Sequence, residues 1–225
     1  MSPGMMKSIA MQQALNLDIL YSFIIILCSL MIYFGTKELY DLSSHRGIKY
    51  FRLAFLFFAI AYFFRSFIKF ILIYFNIPEI MQLSPKAFGT LTIMAFMYFS
   101  IMAIFYLLYS VIWKKINSNK IYIFHITAIL MTFVSIFSHS QLIYLLINLL
   151  ILIIAITTVL IAHKKKRKQN YTYLAYILLS FFWALNILDI LIPDFFRNTQ
   201  LIIYLVSSGI FFIILYRVLR NTGAN

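Results

Sequence analysis

Seven long apolar segments separated by short polar connections are the feature that most limits the folds open to this chain. Hydrophobic residues make up 64% of its 225 residues and charged residues only 11%, against about 25% charged in typical soluble domains. A soluble core of this size cannot bury so much apolar surface, whereas a helix crosses a bilayer in about 20 residues. The sequence therefore predicts an all-α integral membrane protein with seven transmembrane helices. The predicted spans are Leu17–Gly35, Ile48–Phe75, Ala87–Trp113, Ile121–Ser138, Leu142–Ala162, Tyr171–Ile192 and Leu201–Leu219.

The basic residues are concentrated at one end of these spans. Of the 19 Lys and Arg residues, 14 lie in alternate connections or at the C-terminal end, and three lie on the opposite side of the spans. Cytoplasmic loops carry an excess of Lys and Arg, so we expect an extracellular N-terminus, a cytoplasmic C-terminus and a multi-pass location in the cell membrane. Merging spans four and five would place the run Lys164–Lys168 outside, against this rule. The basic side holds Lys37, Arg46, Lys49, Arg52, Lys114, Lys115, Lys120, Lys164, Lys165, Lys166, Arg167, Lys168, Arg217 and Arg220.

One domain is expected, with short segments at both ends. Residues 1–16 form an extracytoplasmic leader that is either interfacial or disordered, residues 17–219 form the transmembrane domain, and residues 220–225 form a cytoplasmic tail. The formal net charge of +13 does not indicate nucleic-acid binding, because the basic residues flank apolar spans instead of covering a polar face. The lipid bilayer is the first expected partner. The run Lys164–Lys168 suits anionic lipid headgroups or a docking protein.

An internal similarity relates the second and third spans to the sixth and seventh. Aligning Arg52–Ala59 with Tyr173–Ser180 also places Tyr62 on Trp183. The similarity predicts a three-plus-one-plus-three bundle of two parallel triplets, in which span four reverses the chain. Chance similarity between Phe-rich and Leu-rich helices is the alternative, and the sequence leaves both open. The layout is similar to that of the SWEET sugar transporters, but all four Pro residues lie outside the spans, so the Pro-Gln signature of that family is lacking.

Two basic residues, Arg65 and Lys69, lie inside a span and follow no topology rule. A charge at the bilayer centre costs about 2.5–3.5 kcal/mol on insertion scales, so such a residue indicates a specific partner or a function. Residues three or four apart share a helix face, which places polar side chains in one stripe on span two and another at similar depth on span six. These two stripes consist of Tyr62, Arg65, Lys69, Trp183, Asn186 and Asp189.

The two stripes have two interpretations. In the first, Asp189 neutralises Arg65 or Lys69 in a structural ion pair, and the other base extends toward the lipid headgroups. In the second, the stripes line a pocket for a small polar or anionic ligand, open to the outside. Further side chains that could line this pocket are Thr90, Thr92, Tyr98 and Tyr204.

The chain carries no signature of a catalytic, metal or cofactor site. It has no HExxH or GxSxG motif and no glycine-rich phosphate loop. No Lys lies within span seven, which excludes a retinal Schiff base of the microbial-rhodopsin kind. His45, His125, His139 and His163 are not at metal-ligand spacing and belong to both sides of the membrane. We therefore expect no cofactor, no metal and no catalysis, with an enzyme as the third choice.

In span count and orientation the chain resembles the seven-helix sensor regions found at the N-termini of some prokaryotic histidine kinases. The segment Ser43–Arg65, a basic turn that leads into an aromatic helix, is similar in character. The resemblance implies a prokaryotic, sensor-like or accessory membrane protein that binds a small ligand or a partner membrane protein. The alternative function is transport of a small solute, with the polar site between spans two and six.

Overall fold

The computed structural model describes the backbone of residues 3–74, 85–115, 120–138, 140–164, 170–191 and 197–222, and the side chains of all these residues except 3–15, 68–69, 71–74, 85–88, 170–171, 197–199 and 221–222. Within this part of the chain the secondary structure is entirely helical. The helices are α1 (Pro3–Gly35), α2 (Lys37–Ser43), α3 (Arg46–Tyr74), α4 (Pro85–Ile112), α5 (Ile121–Phe137), α6 (Gln141–Lys164), α7 (Asn170–Leu191) and α8 (Arg197–Thr222).

Seven of these helices correspond to the seven predicted spans, and α2 is the short addition. Six of them contain a stretch long and apolar enough to cross a membrane, whereas α5 is a shorter apolar helix of 17 residues. These helices indicate a multi-pass membrane protein, as the composition predicted. The backbone of α1 begins at Pro3, so it continues through most of the segment that the sequence treated as a leader.

Six long helices form a closed ring, and α5 lies outside it. Going round the ring, the neighbours in contact are α1, α3, α4, α6, α7 and α8, and α8 packs back against α1. Helix α5 packs against α4 and α6. The outward faces carry exposed Leu, Ile and Phe side chains, for example Leu130 at 59% and Ile153 at 61% exposure. Such faces suit lipid as the surrounding solvent.

Four phenylalanines fill the centre of the ring. Phe55 and Phe58 of α3, Phe182 of α7 and Phe211 of α8 are completely buried. The centroids of Phe182 and Phe211 are 4.8 Å apart, and Phe58 lies 6.2 and 6.1 Å from them, with all three pairs edge to face. Edge-to-face packing is favourable because the ring edge is positive and the ring face negative. We call these four residues the phenylalanine layer.

Gly47 lies where the start of α3 comes close to the end of α4. A methyl group at this position would lie 2.9 Å from the carbonyl oxygen of Ser110 and 2.9 Å from Cε1 of His45. A backbone carbonyl cannot move aside as a flexible side chain can. We therefore expect Gly47→Ala to lower the free energy of unfolding by about 1–3 kcal/mol, as measured by SDS titration of the protein in mixed micelles.

Gly209 provides the matched control. It lies within α8, and a methyl group there would meet nothing within 4 Å. We expect Gly209→Ala to leave stability unchanged or to raise it by up to about 1 kcal/mol, since Ala is the better helix former. Equal losses of stability in the two variants would show that close packing at Gly47 is not the cause.

Candidate functional site

Arg65 of α3 lies between two carboxylates from different helices. Its Nη2 is 2.9 Å from Oδ1 of Asp18 in α1 and 3.6 Å from Oδ2 of Asp189 in α7. The three side chains are only 16%, 4% and 15% exposed. A charge taken out of water needs an opposite charge and hydrogen bonds close by. The guanidinium thereby links α1, α3 and α7.

Aromatic rings surround the same guanidinium. Its central carbon is 5.7 Å from the ring centroids of Tyr21 and Tyr62 and 5.8 Å from that of Phe96. The negative faces of such rings attract a cation within about 6 Å. The ring of Tyr204 stacks on Tyr21 at 4.5 Å, and its hydroxyl lies 3.5 Å from Nη2 of Arg65. Two further helices, α4 and α8, thus contribute to the surroundings of this charge.

Beside this charge, side-chain hydrogen bonds connect α1 and α3 to α7. The hydroxyls of Tyr21 and Tyr62 are 3.3 Å apart, and the Tyr62 hydroxyl donates to Oδ1 of Asn186 at 3.2 Å. The Nδ2 of Asn186 in turn donates to the Phe182 carbonyl at 3.0 Å. Buried polar groups need such partners because burial without them is costly. We call the connected side chains the polar cluster: Asp18, Tyr21, Tyr62, Arg65, Asn186, Asp189 and Tyr204.

A cavity lies beside the polar cluster, among α3, α4, α6 and α7. The volume open to the centre of a water molecule is about 50 Å³. One water needs roughly 10–15 Å³ on this measure, so the cavity has room for a few waters or one small ligand. Its lining combines charged, polar and aromatic side chains: Arg65, Asp189, Asn186, Asn148, Ser100, Tyr62, Phe96, Tyr144 and Trp183, with Met97 and Ile190.

Trp183 and Asn148, which both line the cavity, join α6 to α7. The indole Nε1 of Trp183 donates to the carbonyl oxygen of Asn148 at 3.2 Å, and Nδ2 of Asn148 donates to the Tyr144 carbonyl at 2.9 Å. Both residues are buried, Trp183 at 6% and Asn148 at 4% exposure. Because these polar groups are satisfied within the two helices, the indole ring is held in place at the cavity wall.

The structure brings together most of the side chains that the sequence placed on spans two and six. Tyr62, Arg65, Trp183, Asn186 and Asp189 all line the cavity. Tyr204, predicted as pocket lining, contacts Arg65 through its hydroxyl. Lys69 falls within α3, but its side chain lies outside the described residues.

Three other predicted lining residues lie elsewhere on α4. Tyr98 faces α5, where its hydroxyl is 2.7 Å from Nδ1 of His125. Successive helix residues are about 100° apart, so Tyr98 points away from Phe96 and Ser100, which do line the cavity. Thr90 is exposed and Thr92 is buried, and neither is among the described residues that line the cavity.

Sequence reasoning missed the carboxylate that pairs most closely with Arg65. Asp18 is the second residue of the first predicted span, and the polar stripes predicted on spans two and six did not include it. The structure buries its side chain and places it nearer to Arg65 than Asp189. The available signal was the spacing of Asp18, Tyr21 and Ser22, which puts all three on one face of α1. Tyr144 and Asn148, also missed, carry the same three-to-four spacing on α6.

The remaining sequence candidates are apart from the cavity. His125 lies between α4 and α5, with its Nε2 3.3 Å from the Tyr106 hydroxyl. Lys164 is exposed at the end of α6, and Lys165, Lys166, Arg167 and Lys168 lie outside the described residues. In the part of the chain described, no three His, Cys, Asp or Glu side chains are grouped so that they could hold a metal ion.

Comparison with known proteins finds a relative that matches this chain over most of its length. An uncharacterized protein of Archaeoglobus fulgidus is 31% identical to this chain over 216 residues, which cover 91% of this chain and 92% of that protein. No protein-family model matches the sequence, and no solved structure matches it.

Proposed function

This chain belongs to the family of that Archaeoglobus fulgidus protein, and we propose that it is a non-catalytic seven-helix membrane protein, sensor-like or accessory, that binds a small polar ligand. The observation that carries the proposal is the cavity beside Arg65, where a charged pair, two amides and four aromatic rings converge. Ligand sites are typically concave and mostly apolar, with a few placed polar groups. The cavity volume is that of a few water molecules, so its ligand is small.

The proposed orientation follows from the charges. The Arg46 end of α3 and the Lys164 end of α6 belong to the basic, cytoplasmic side, and the polar cluster lies in the outer half of the bundle. The described ends of the helices carry exposed basic residues such as Lys37, Lys49 and Lys164. We propose that this face contacts anionic lipid headgroups and a partner protein, because exposed Lys and Arg side chains close to the membrane surface attract anionic groups.

The order of helix contacts supports the proposed repeat. In the first triplet α1 packs on α3 and α3 on α4, and in the second α6 packs on α7 and α7 on α8. The two contacts that close the ring, α4 with α6 and α8 with α1, are also equivalent under such a relation. Helix α5 connects the triplets from outside the ring. Two parallel triplets about an axis normal to the membrane would produce this order.

The interior of the helix ring, with its continuous helices and its phenylalanine layer, favours binding without transport. Transporter sites are often built at broken helices, but α3 and α7, which carry the polar cluster, are continuous through it. Toward the Arg46 end the phenylalanine layer fills the centre of the bundle, and its four rings are completely buried. Transport of a small solute is the second candidate, and the repeat-like ring is the observation that favours it.

A thermal-shift screen tests the proposal. The purified protein in mild detergent is heated with a panel of small solutes that includes cations, anions and neutral polar molecules. We expect at least one solute to raise the unfolding midpoint of the wild type, since a ligand that binds only the folded state stabilises it. We expect Asn186→Leu, which fills part of the cavity with a branched apolar side chain, to remove that shift.

Proteoliposome flux separates the two candidates. A solute that binds but is not taken up by vesicles supports the sensor-like or accessory function, whereas saturable uptake lost in Asn186→Leu supports transport. A full panel without a shift in the wild type would contradict both, because each requires a ligand in the cavity.

A further inference from the structure

The two carboxylates of the polar cluster are not equivalent toward the cavity. Asp18 holds Arg65 at 2.9 Å and does not line the cavity, whereas Asp189 lines it and lies 3.6 Å from the guanidinium. Charge-assisted N–H···O bonds are usually about 2.7–2.9 Å long, so the contact between Asp189 and Arg65 is loose. The carboxylate of Asp189 is thus the charged acceptor that a ligand in the cavity meets.

Aromatic side chains from four helices form a large part of the cavity wall. Tyr62, Phe96, Tyr144 and Trp183 all line the cavity, from α3, α4, α6 and α7. Rings on several sides together with a carboxylate are the usual surroundings of a bound ammonium group. The same region already holds one organic cation, because the guanidinium of Arg65 lies within 5.8 Å of three ring centroids.

We infer that the cavity binds a small ammonium-type cation, a protonated amine of a few heavy atoms, between Asp189 and the aromatic wall. This inference rests on the proposed function, because it names the ligand class of the same site. It differs from the sequence-based expectation of a polar or anionic ligand. Arg65 also lines the cavity, but Asp18 and Asp189 both lie against its guanidinium, so the three side chains carry a formal net charge of −1. That net charge favours a cation over an anion, and burial strengthens the preference.

The size of the cavity limits the cation further. A volume of about 50 Å³ open to water centres suits ammonium or methylammonium and is small for an amino acid or a polyamine. Ligands with so few atoms have a low affinity ceiling, about 1.5 kcal/mol per heavy atom. We therefore expect half-saturation by methylammonium in the millimolar range.

Tryptophan fluorescence can report this binding directly. The chain has two tryptophans: Trp183 lines the cavity, whereas Trp113 follows α4 and contacts His45 with ring centroids 5.0 Å apart. In a Trp113→Phe protein all tryptophan emission comes from Trp183. Titration with methylammonium chloride should change this emission in a saturable way, and sodium acetate or sodium chloride at equal ionic strength should not.

Charge removal at Asp189 provides the decisive variant. We expect Asp189→Asn to raise the half-saturating concentration of methylammonium at least about tenfold, because it removes the negative charge and keeps the shape. Asp41→Asn is the matched control, since Asp41 is an exposed carboxylate on α2, and its titration should equal that of the parent protein. If Asp189→Asn does not fold, Trp183→Leu with a thermal-shift readout should lose the stabilisation by methylammonium.

The outcomes distinguish a failure of this inference from a failure of the proposed function on which it rests. Saturable binding of acetate or of a neutral solute, without a response to methylammonium, would overturn the cation class and leave a small-ligand site in place. Equal methylammonium titrations in the parent and in Asp189→Asn would also overturn it. Absence of binding by every solute of the thermal-shift panel would instead contradict the proposed function itself.

Discussion

Replacing Arg65 by Met is expected to lower the free energy of unfolding by about 3–5 kcal/mol, the usual loss when one partner of a buried ion pair is removed. Asp18 and Asp189 keep their places on α1 and α7 but lose the guanidinium that lies 2.9 and 3.6 Å from them. Met fills much of the same space, so the loss reports charge and not volume. SDS-driven unfolding of the purified protein in mixed micelles measures it.

Two further variants make this result interpretable. Arg220→Met removes an exposed base near the end of α8 and should change stability by less than about 0.5 kcal/mol. The double variant Arg65→Met with Asp18→Asn should lose less stability than Arg65→Met alone, because it no longer leaves that carboxylate beside an apolar side chain. A loss at Arg65 as small as that at Arg220 would mean that the ion pair adds nothing to folding.

Phe182→Ala is expected to lower the free energy of unfolding by about 3 kcal/mol, at the low end of the range for Phe-to-Ala changes in cores. The Phe182 ring is completely buried and meets Phe58 and Phe211 edge to face. Its removal leaves a void at the centre of the ring. The low end of the range applies because the unfolded reference state in a membrane is itself surrounded by apolar lipid, so packing contributes more than transfer from water.

Phe181 is the control for this change. It is the adjacent residue on α7, but its side chain is 52% exposed on the outside of the bundle. We expect Phe181→Ala to cost less than about 0.5 kcal/mol, in the same SDS titration. Similar losses at the two positions would show that the phenylalanine layer is no better packed than the lipid-facing surface.

The helices were predictable because lipid imposes a strict rule on the backbone. Every N–H and C=O group in the hydrocarbon needs an internal partner, so a long apolar segment must be helical. Each predicted span coincides with a helix to within a few residues, apart from the longer start of α1. The connection after span one contains α2, a short helix that is followed by the C-cap residue Ser44 with a left-handed φ of 49°. Hydropathy carries no signal for such a segment.

The candidate site was predictable only where one helix face carries several polar residues. Tyr62 and Arg65, like Asn186 and Asp189, stand out by their spacing within apolar spans, and the structure brings these side chains to one cavity. Tyr98 had no such companion on α4, and it faces α5. Asp18 was missed because it stands at the edge of a span, where a carboxylate can either reach the headgroups or turn inward.

By itself the sequence indicated that lipid surrounds the protein, that the long apolar segments are helical, and which residues are too polar for such surroundings. Each of these depends on composition and on spacing along one chain. Tertiary structure decided which helices are neighbours in the ring and which carboxylate neutralises Arg65. It also decided that a cavity with aromatic walls remains beside Asp189. These features depend on how each helix is rotated about its own axis relative to its neighbours. Apolar faces of similar hydropathy do not specify that rotation.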